Sequence, residues 1–174
     1  IPLTRYVIAE TARRLDAFPS EPHFHIAINV AARHFAHGLL LHDLHNYWFS
    51  VNPVQQLVVE LTERDVLQDG DQHMAEHLHF KGVQLAIDDF GTGYASYARL
   101  KTMNVDILKI DGSFIRNLLA SSLDYQVVDS ICRLARMKNM QVVAEYVESP
   151  EIRQAVITLG IDYMQGYDIG VPVP

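Results

Sequence analysis

Residues Val83 to Tyr94 read VQLAIDDFGTGY, and this stretch decides the fold. The apolar residues at 83, 85, 86 and 87 predict a strand that is buried on both faces, as in a parallel sheet covered by helices. Asp88 and Asp89 stand where that strand ends, and glycines follow in a loop. Two adjacent carboxylates repel each other, so a divalent metal, which prefers carboxylate oxygen, is one way to compensate them. The alternative is a solvated turn, because Asp and Gly are common turn residues.

The same unit, an apolar strand followed by a helix, recurs along the chain. Strands are predicted over 25–30, 56–63, 83–89, 105–111, 141–147 and 162–167, and helices over 2–15, 31–49, 69–80, 94–103, 114–119, 123–137 and 150–159. Such alternation is typical of parallel strands joined by crossover helices. The sequence therefore predicts an α/β sheet or barrel in a single domain over residues 1–174.

Composition narrows the function. The chain has 174 residues, a formal net charge of −7 and no block of basic residues, which argues against a nucleic-acid polymer as partner. Its single cysteine, Cys132, cannot pair within the chain, which suits a reducing compartment. No membrane span or signal peptide is visible, so we expect a cytoplasmic location. The chain starts at Ile1 in helical sequence, which indicates a fragment of a longer protein.

Polar side chains cluster where the predicted strands end. They are Asn29; Glu60 and Glu63; Asp88 and Asp89; Lys109 and Asp111; Glu145 and Glu148; and Gln165. In a parallel α/β barrel the carboxyl ends of the strands share one face, and active sites lie there. The side chains of Asn29, Glu60, Asp88, Asp89 and Glu145 all offer oxygen, which favours Mg²⁺ or Mn²⁺ over zinc. Adjacent aspartates would bridge two such ions, an arrangement used to attack phosphodiesters.

Lys109 has two interpretations. In the structural one it forms an ion pair with Asp111 or another neighbour. In the functional one it orients or deprotonates the attacking water, or stabilises phosphoryl charge. Glu63 and Glu148 are weaker candidates, which we expect to support the ligands rather than bind metal themselves.

Taken together, these motifs resemble a known family. DDFGTGY, ELTE, INVA, LKID, VVAE followed by VE, and MQGY occur in the order and spacing of the EAL domains, along essentially the whole chain. EAL domains are bacterial phosphodiesterases that hydrolyse cyclic di-GMP to linear pGpG. The resemblance implies a modified (β/α)₈ barrel with one antiparallel strand, and catalysis by two Mg²⁺ or Mn²⁺ ions.

The resemblance also implies roles for individual residues. Asn29, Glu60 and Asp88 would bind one ion, while Asp88, Asp89 and Glu145 would serve the second. Lys109 would contact the nucleophilic water, and Glu145 is a candidate base. Gln165 would help hold the site or the substrate. Glu63 would brace the loop after Asp89, which in this family connects the metal site to a dimer interface, so a homodimer is expected.

Three departures from the family pattern stand out. The Glu-Ala-Leu strand with its ligand, the first two strands and a nearby arginine are absent, as expected if the domain is truncated at its N-terminus. Tyr146 replaces the usual glycine after Ala-Glu, where its ring would either narrow the guanine pocket or point into a neighbouring helix. Val171 replaces a basic residue before Pro172.

Two functions follow as hypotheses. The first is a metal-dependent cyclic di-GMP phosphodiesterase in bacterial second-messenger signalling. The parent protein would carry an upstream sensor or regulatory domain, with or without a membrane anchor in its N-terminal regions. The second is an inactive domain that binds the dinucleotide, or only a protein partner, as a receptor or scaffold. The intact ligand positions favour the enzyme, and we expect the isolated fragment to be impaired because one ligand is missing.

Overall fold

The computed structural model describes residues 2–21, 23–36, 38–63, 72–91 and 104–172. The helix predicted over 94–103 lies outside these residues. Within them the chain forms one parallel six-stranded sheet whose strands lie side by side in chain order. The strands are β1 (His25–Asn29), β2 (Gln56–Thr62), β3 (Gln84–Phe90), β4 (Ile107–Ile110), β5 (Gln141–Ala144) and β6 (Tyr163–Met164). This half-barrel confirms the α/β prediction.

Helices precede, separate and cover the strands. They are α1 (Pro2–Arg13), α2 (Ala32–Ala36), α3 (Leu39–Asp43), α4 (Gln72–Phe80), α5 (Gly112–Arg116), α6 (Ser122–Met137) and α7 (Pro150–Thr158). Single irregular turns extend the helical segments over Leu15–Ala17, Leu44–Trp48 and Phe49–Val51. Ser149 caps α7 by accepting a hydrogen bond from the Ile152 N–H, with Pro150 in the first turn, as its sequence predicts.

The two faces of the sheet have different cores. On the outer face, strand residues such as Val59, Leu85 and Leu108 join helix residues in one large apolar cluster. On the inner face, Val58, Ala86 and Ile107 form a separate small cluster, with Val143 packed against it. Side chains on a strand alternate between faces, so the residues two positions further along, at 60, 88, 109 and 145, lie directly above this inner layer.

Every strand except β3 is shorter than predicted, and for β5 and β6 the local reason is visible. We expected β5 to continue to Val147, but Tyr146 has a φ of +56°, which a strand cannot accommodate. We expected β6 to reach Tyr167, but the Gly166 carbonyl accepts hydrogen bonds from the N–H groups of Ile169 and Gly170, so the chain has already turned.

Among the residues described, none of the helices has both the length and the apolar character that a membrane crossing requires.

Candidate functional site

The predicted ligands lie along one edge of the sheet because strand register aligns them. Asn29 is the last residue of β1 and pairs with Glu60 of β2, and both face the inner side. Lys109 of β4 pairs with Val143, which precedes Glu145 by two positions and shares its face. The carboxyl ends of five neighbouring strands, β1 to β5, thus bring amide, carboxylate and ammonium groups to the same mouth of the half-barrel.

Lys109 is the centre of this site. Its Nζ lies 2.8 Å from a carboxylate oxygen of Asp88, 2.9 Å from one of Glu145 and 3.1 Å from one of Glu60. The lysine side chain is only 8% exposed. Asp111, the alternative partner suggested by sequence, instead caps α5 by accepting a hydrogen bond from the Ser113 N–H. These three ion pairs therefore link β2, β3 and β4 with the residue that follows β5, at the mouth of the half-barrel.

Burial and the ion pairs together shift the pKa values of Glu60, Glu145 and Lys109. Burial raises the pKa of Glu60 and of Glu145 above the ordinary range, although the nearby Lys109 opposes the shift in both cases. Burial by itself lowers the pKa of Lys109, but the hydrogen bond to Asp88 and the charges of Glu60 and Glu145 outweigh it and raise that pKa overall. Lys109 accordingly stays an ammonium group. In this arrangement it is suited to donating hydrogen bonds and stabilising negative charge rather than to removing a proton.

A β-bulge explains how two consecutive aspartates serve one site. Between β3 and β4 the register shifts, so that Ile87 pairs with Leu108 while Phe90 pairs with Ile110. One extra residue on β3 is accommodated at Asp88 and Asp89, and Asp89 has a φ of +54°. In a regular strand Asp89 would point away from Asp88, whereas a bulge redirects it. Ligand oxygens of Asp88, Asp89 and Glu145 consequently lie within 4.8 Å of one another.

The donor set fits divalent cations. Four carboxylates, those of Glu60, Asp88, Asp89 and Glu145, face one ammonium among the residues that the structure describes. The excess negative charge and the all-oxygen chemistry match what Mg²⁺ and Mn²⁺ prefer. Asn29 adds an amide oxygen at the same strand level as Glu60.

Glu63 accepts a hydrogen bond from the backbone just after β3. It is 3% exposed, and its Oε2 accepts a hydrogen bond of 2.9 Å from the Gly91 N–H. Gly91 directly follows β3, and a Cβ at this position would lie 2.6 Å from the Phe114 ring. The carboxylate thus connects the end of β2 to the backbone just after the bulge.

A pocket of about 390 Å³ opens beside the carboxylates. It is lined by Asp88, Asp89 and Glu145, by the polar side chains of Glu148 and Gln165, and by Tyr146, Gly166 and Tyr167. Gln165 is anchored through its backbone, since its N–H donates to the Ala144 carbonyl and its carbonyl accepts from the Val147 N–H. This volume and the few convergent polar groups are those of a small-ligand site. Glu148 and Gln165 therefore lie at the pocket rather than within the lysine network.

Tyr146 contacts a neighbouring helix, one of the two placements considered from sequence, and it also lines the pocket. Its ring packs on α5, where the Arg116 guanidinium lies 4.4 Å from the ring centroid. Arg116 was not predicted as a site residue from the sequence. The available signal was its position one helical turn after Gly112, because consecutive strand–helix units of a parallel sheet lie side by side.

Comparisons with known proteins agree with this architecture. The EAL domain family model matches residues 1–172. The chain is 47% identical over its whole length to the probable cyclic di-GMP phosphodiesterase PdeD of Escherichia coli K12, of which it covers 33%. It is 65% identical over 121 residues, 68% of the chain, to the cyclic di-GMP phosphodiesterase PdeF of the same organism, covering 16% of that protein. The chain thus spans a third or less of these relatives.

Solved structures show the same fold. The c-di-GMP complex of the PaMucR phosphodiesterase superposes with a TM-score of 0.87 at 34% identity, covering 99% of this chain and 72% of that one. The EAL enzyme Bd1971 with cAMP and cyclic di-GMP bound gives a TM-score of 0.89 at 27% identity, covering 99% and 49% of the two chains. With its parallel half-barrel and its carboxylate-rich mouth, the chain belongs to the EAL domain family.

Proposed function

We propose that this chain forms the catalytic part of a metal-dependent phosphodiesterase that hydrolyses cyclic di-GMP to linear pGpG. The observation that carries the proposal is the cluster of Glu60, Asp88 and Glu145 around Lys109 at the mouth of the half-barrel, beside a pocket of small-ligand size. The named activities of PdeD and PdeF support the choice of substrate.

Two divalent cations would be held by the oxygen ligands. Asn29, Glu60 and Asp88 would bind one ion, and Asp88, Asp89 and Glu145 the other. Bound Mg²⁺ or Mn²⁺ supplies an activated water and neutralises charge on the phosphoryl oxygens. Asp89 reaches the site because of the bulge. Glu60 is held by strand pairing on both sides, and Asp88 by its pairing with Thr62 of β2.

The protein side chains position the reactants and move the proton. Hydrolysis to pGpG joins a water oxygen to phosphorus and breaks one P–O3′ bond, and the departing 3′ oxygen takes a proton. Lys109, as an ammonium, donates a hydrogen bond to the attacking water or to the phosphoryl oxygen. Glu145 has a raised pKa, which suits a group that accepts the proton from water. Gln165 and Glu148 line the pocket and contact the substrate, and Glu63 supports the backbone after the ligand pair.

The site also implies a larger assembly. β1 and β6 each pair on only one side among the described residues, and PdeD is about three times the length of this chain. We therefore propose that further strands from a longer chain complete the barrel and add the missing Glu ligand. A homodimer, an upstream regulatory domain and a cytoplasmic location belong to the same proposal. Light scattering on the full-length protein tests the dimer.

Hydrolysis of cyclic di-GMP by the full-length natural protein tests the activity. With Mg²⁺ or Mn²⁺ we expect pGpG as product, and a loss of at least about a hundredfold in Asp88→Asn, because this change removes a ligand charge. Asp16→Asn, at an exposed position in the turn after α1, serves as the matched control and retains full activity. Unchanged turnover in Asp88→Asn contradicts the proposal. Binding without turnover would identify a receptor, and neither binding nor turnover a scaffold.

A further inference from the structure

Tyr146 adopts a backbone conformation that its own side chain opposes. Its φ of +56° lies in the left-handed region, which glycine enters freely and bulky residues enter at a cost in free energy. Residues held in such conformations cluster at functional sites, where the surrounding structure maintains them. The chain therefore keeps a strained tyrosine immediately after Glu145.

Two contacts from α5 hold the ring in place. The Arg116 guanidinium carbon lies 4.4 Å from the ring centroid, within the range of a cation–π contact. Gly112 supplies the room for the ring, because a Cβ at this position would lie 2.0 Å from Tyr146 Cδ2. Arg116 thus covers one side of the ring, and the Gly112 backbone fixes its edge. The ring is preorganised rather than loose.

Part of the ring remains available to a ligand. Tyr146 is 48% exposed, and it borders the same pocket as Asp88 and Glu145. Its place directly after Glu145 puts it beside the phosphate that the carboxylate site would engage.

We infer that Tyr146 is a stacking platform for a guanine base of the bound cyclic dinucleotide. This inference rests on the proposed function, and it adds a specificity-determining residue at a position where the family pattern has glycine. Bases stack on aromatic side chains through their flat π faces, and an aromatic ring with few rotatable bonds loses little entropy on binding. Arg116 acts as a positioning residue by holding the ring.

Equilibrium binding of cyclic di-GMP to the full-length natural protein, measured by titration calorimetry, tests the inference. Tyr146→Phe keeps the flat ring, and we expect its Kd to stay within about twofold of the wild type. Tyr146→Leu and Tyr146→Gly lose the flat ring, and we expect roughly 5- to 100-fold weaker binding, the usual value of one base stack. Tyr6→Leu is the matched control, because Tyr6 is an exposed tyrosine on α1, and its binding stays unchanged.

Two further measurements separate stacking from a general loss of structure. Tyr146→Gly should not lower the melting temperature, because glycine relieves the left-handed backbone. A cyclic dinucleotide in which 2-aminopurine replaces one guanine should lose more fluorescence on binding the wild type than on binding Tyr146→Leu, since stacking quenches this base.

The outcomes distinguish this inference from the proposed function. Equal or tighter binding by Tyr146→Gly overturns the inference alone and would show that the ring only narrows the pocket. Absence of any binding by the wild type overturns the proposed function, and the inference with it.

Discussion

Lys109 is the residue on which the site depends in the absence of metal. It neutralises part of the charge of Glu60, Asp88 and Glu145, whose side chains are 9–14% exposed. A buried carboxylate without a compensating cation is costly, so the loss of this one ammonium affects three strands at once. Divalent ions at the same carboxylates would supply the missing positive charge.

Lys109→Met should therefore destabilise the metal-free protein by about 3–5 kcal/mol, the usual cost of removing one partner of a buried ion pair. Urea denaturation in EDTA measures the loss. We expect millimolar Mg²⁺ to restore much of it, because the cation replaces the ammonium charge. Lys81→Met, at an exposed lysine after α4, is the matched control and should change stability by less than about 0.5 kcal/mol. Equal losses in the two variants would show that the ion pair contributes little.

The location of some site residues in the fold was predictable from the sequence, whereas the contact partners of others were not. The apolar runs that precede Glu60, Asp88 and Lys109 made their placement at strand ends predictable, because such runs form buried strands. The choice of partner for Lys109 depends on register between strands distant in sequence, so Asp111 was an equally reasonable candidate. His34 is fully buried, and its Nε2 lies 3.0 Å from Asp43, which also accepts a hydrogen bond from Arg5. This buried pair was not predictable, because neither residue follows a predicted strand and no motif links the two positions.

At the scale of elements, the bulge in β3 and the end of β2 form one unit. Glu63 accepts a hydrogen bond from the Gly91 N–H, just after the bulge that redirects Asp89. The bulge itself was not predictable, since it is defined by pairing with β4 rather than by the Asp-Asp-Phe-Gly sequence. Under the proposed function, the Glu63 contact would therefore affect metal binding as well as stability.

Glu63→Ala and Glu63→Gln separate the contact from the charge. Alanine leaves the Gly91 N–H without this acceptor, and we expect the Mg²⁺ concentration for half-maximal hydrolysis to rise about tenfold or more, as for other groups that orient metal ligands. Glutamine retains an acceptor oxygen and should stay within about threefold of the wild type. Metal titrations of activity in the full-length protein make the comparison. The same metal dependence in all three proteins would mean that Glu63 does not support the site.

At the scale of the whole molecule, the sheet has a large outer core and a small inner one. The outer face is covered by helices, whereas the inner layer consists of Val58, Ala86 and Ile107 with Val143 beside them. The α/β architecture was predictable from the alternation of strands and helices. The ends of β5 and β6 were not, because a φ of +56° at Tyr146 and a turn at Gly166 leave no clear periodic signal.

Cys132 provides a probe of the outer core. It lies on α6 at 1% exposure, and burial raises the pKa of its thiol from 9.0 to about 11. At pH 8 the thiolate fraction therefore falls about a hundredfold, and the thiolate is the reactive form. We expect Ellman's reagent to modify the folded protein very slowly and the guanidinium-unfolded protein within seconds. Cys132 is the only cysteine of these 174 residues, so modification of this chain reports on α6. Rapid modification of the folded protein would show that α6 opens readily.

The contact between Gly112 and Tyr146 limits the order in which this protein can change by mutation. Any side chain at 112 would place a Cβ 2.0 Å from the tyrosine ring, a distance that no packed structure tolerates. The observed placement of the Tyr146 ring therefore requires glycine at 112, and a larger residue at 112 fits only with a displaced or smaller side chain at 146. Substitutions at the two positions are coupled, although the positions are 34 apart in the chain.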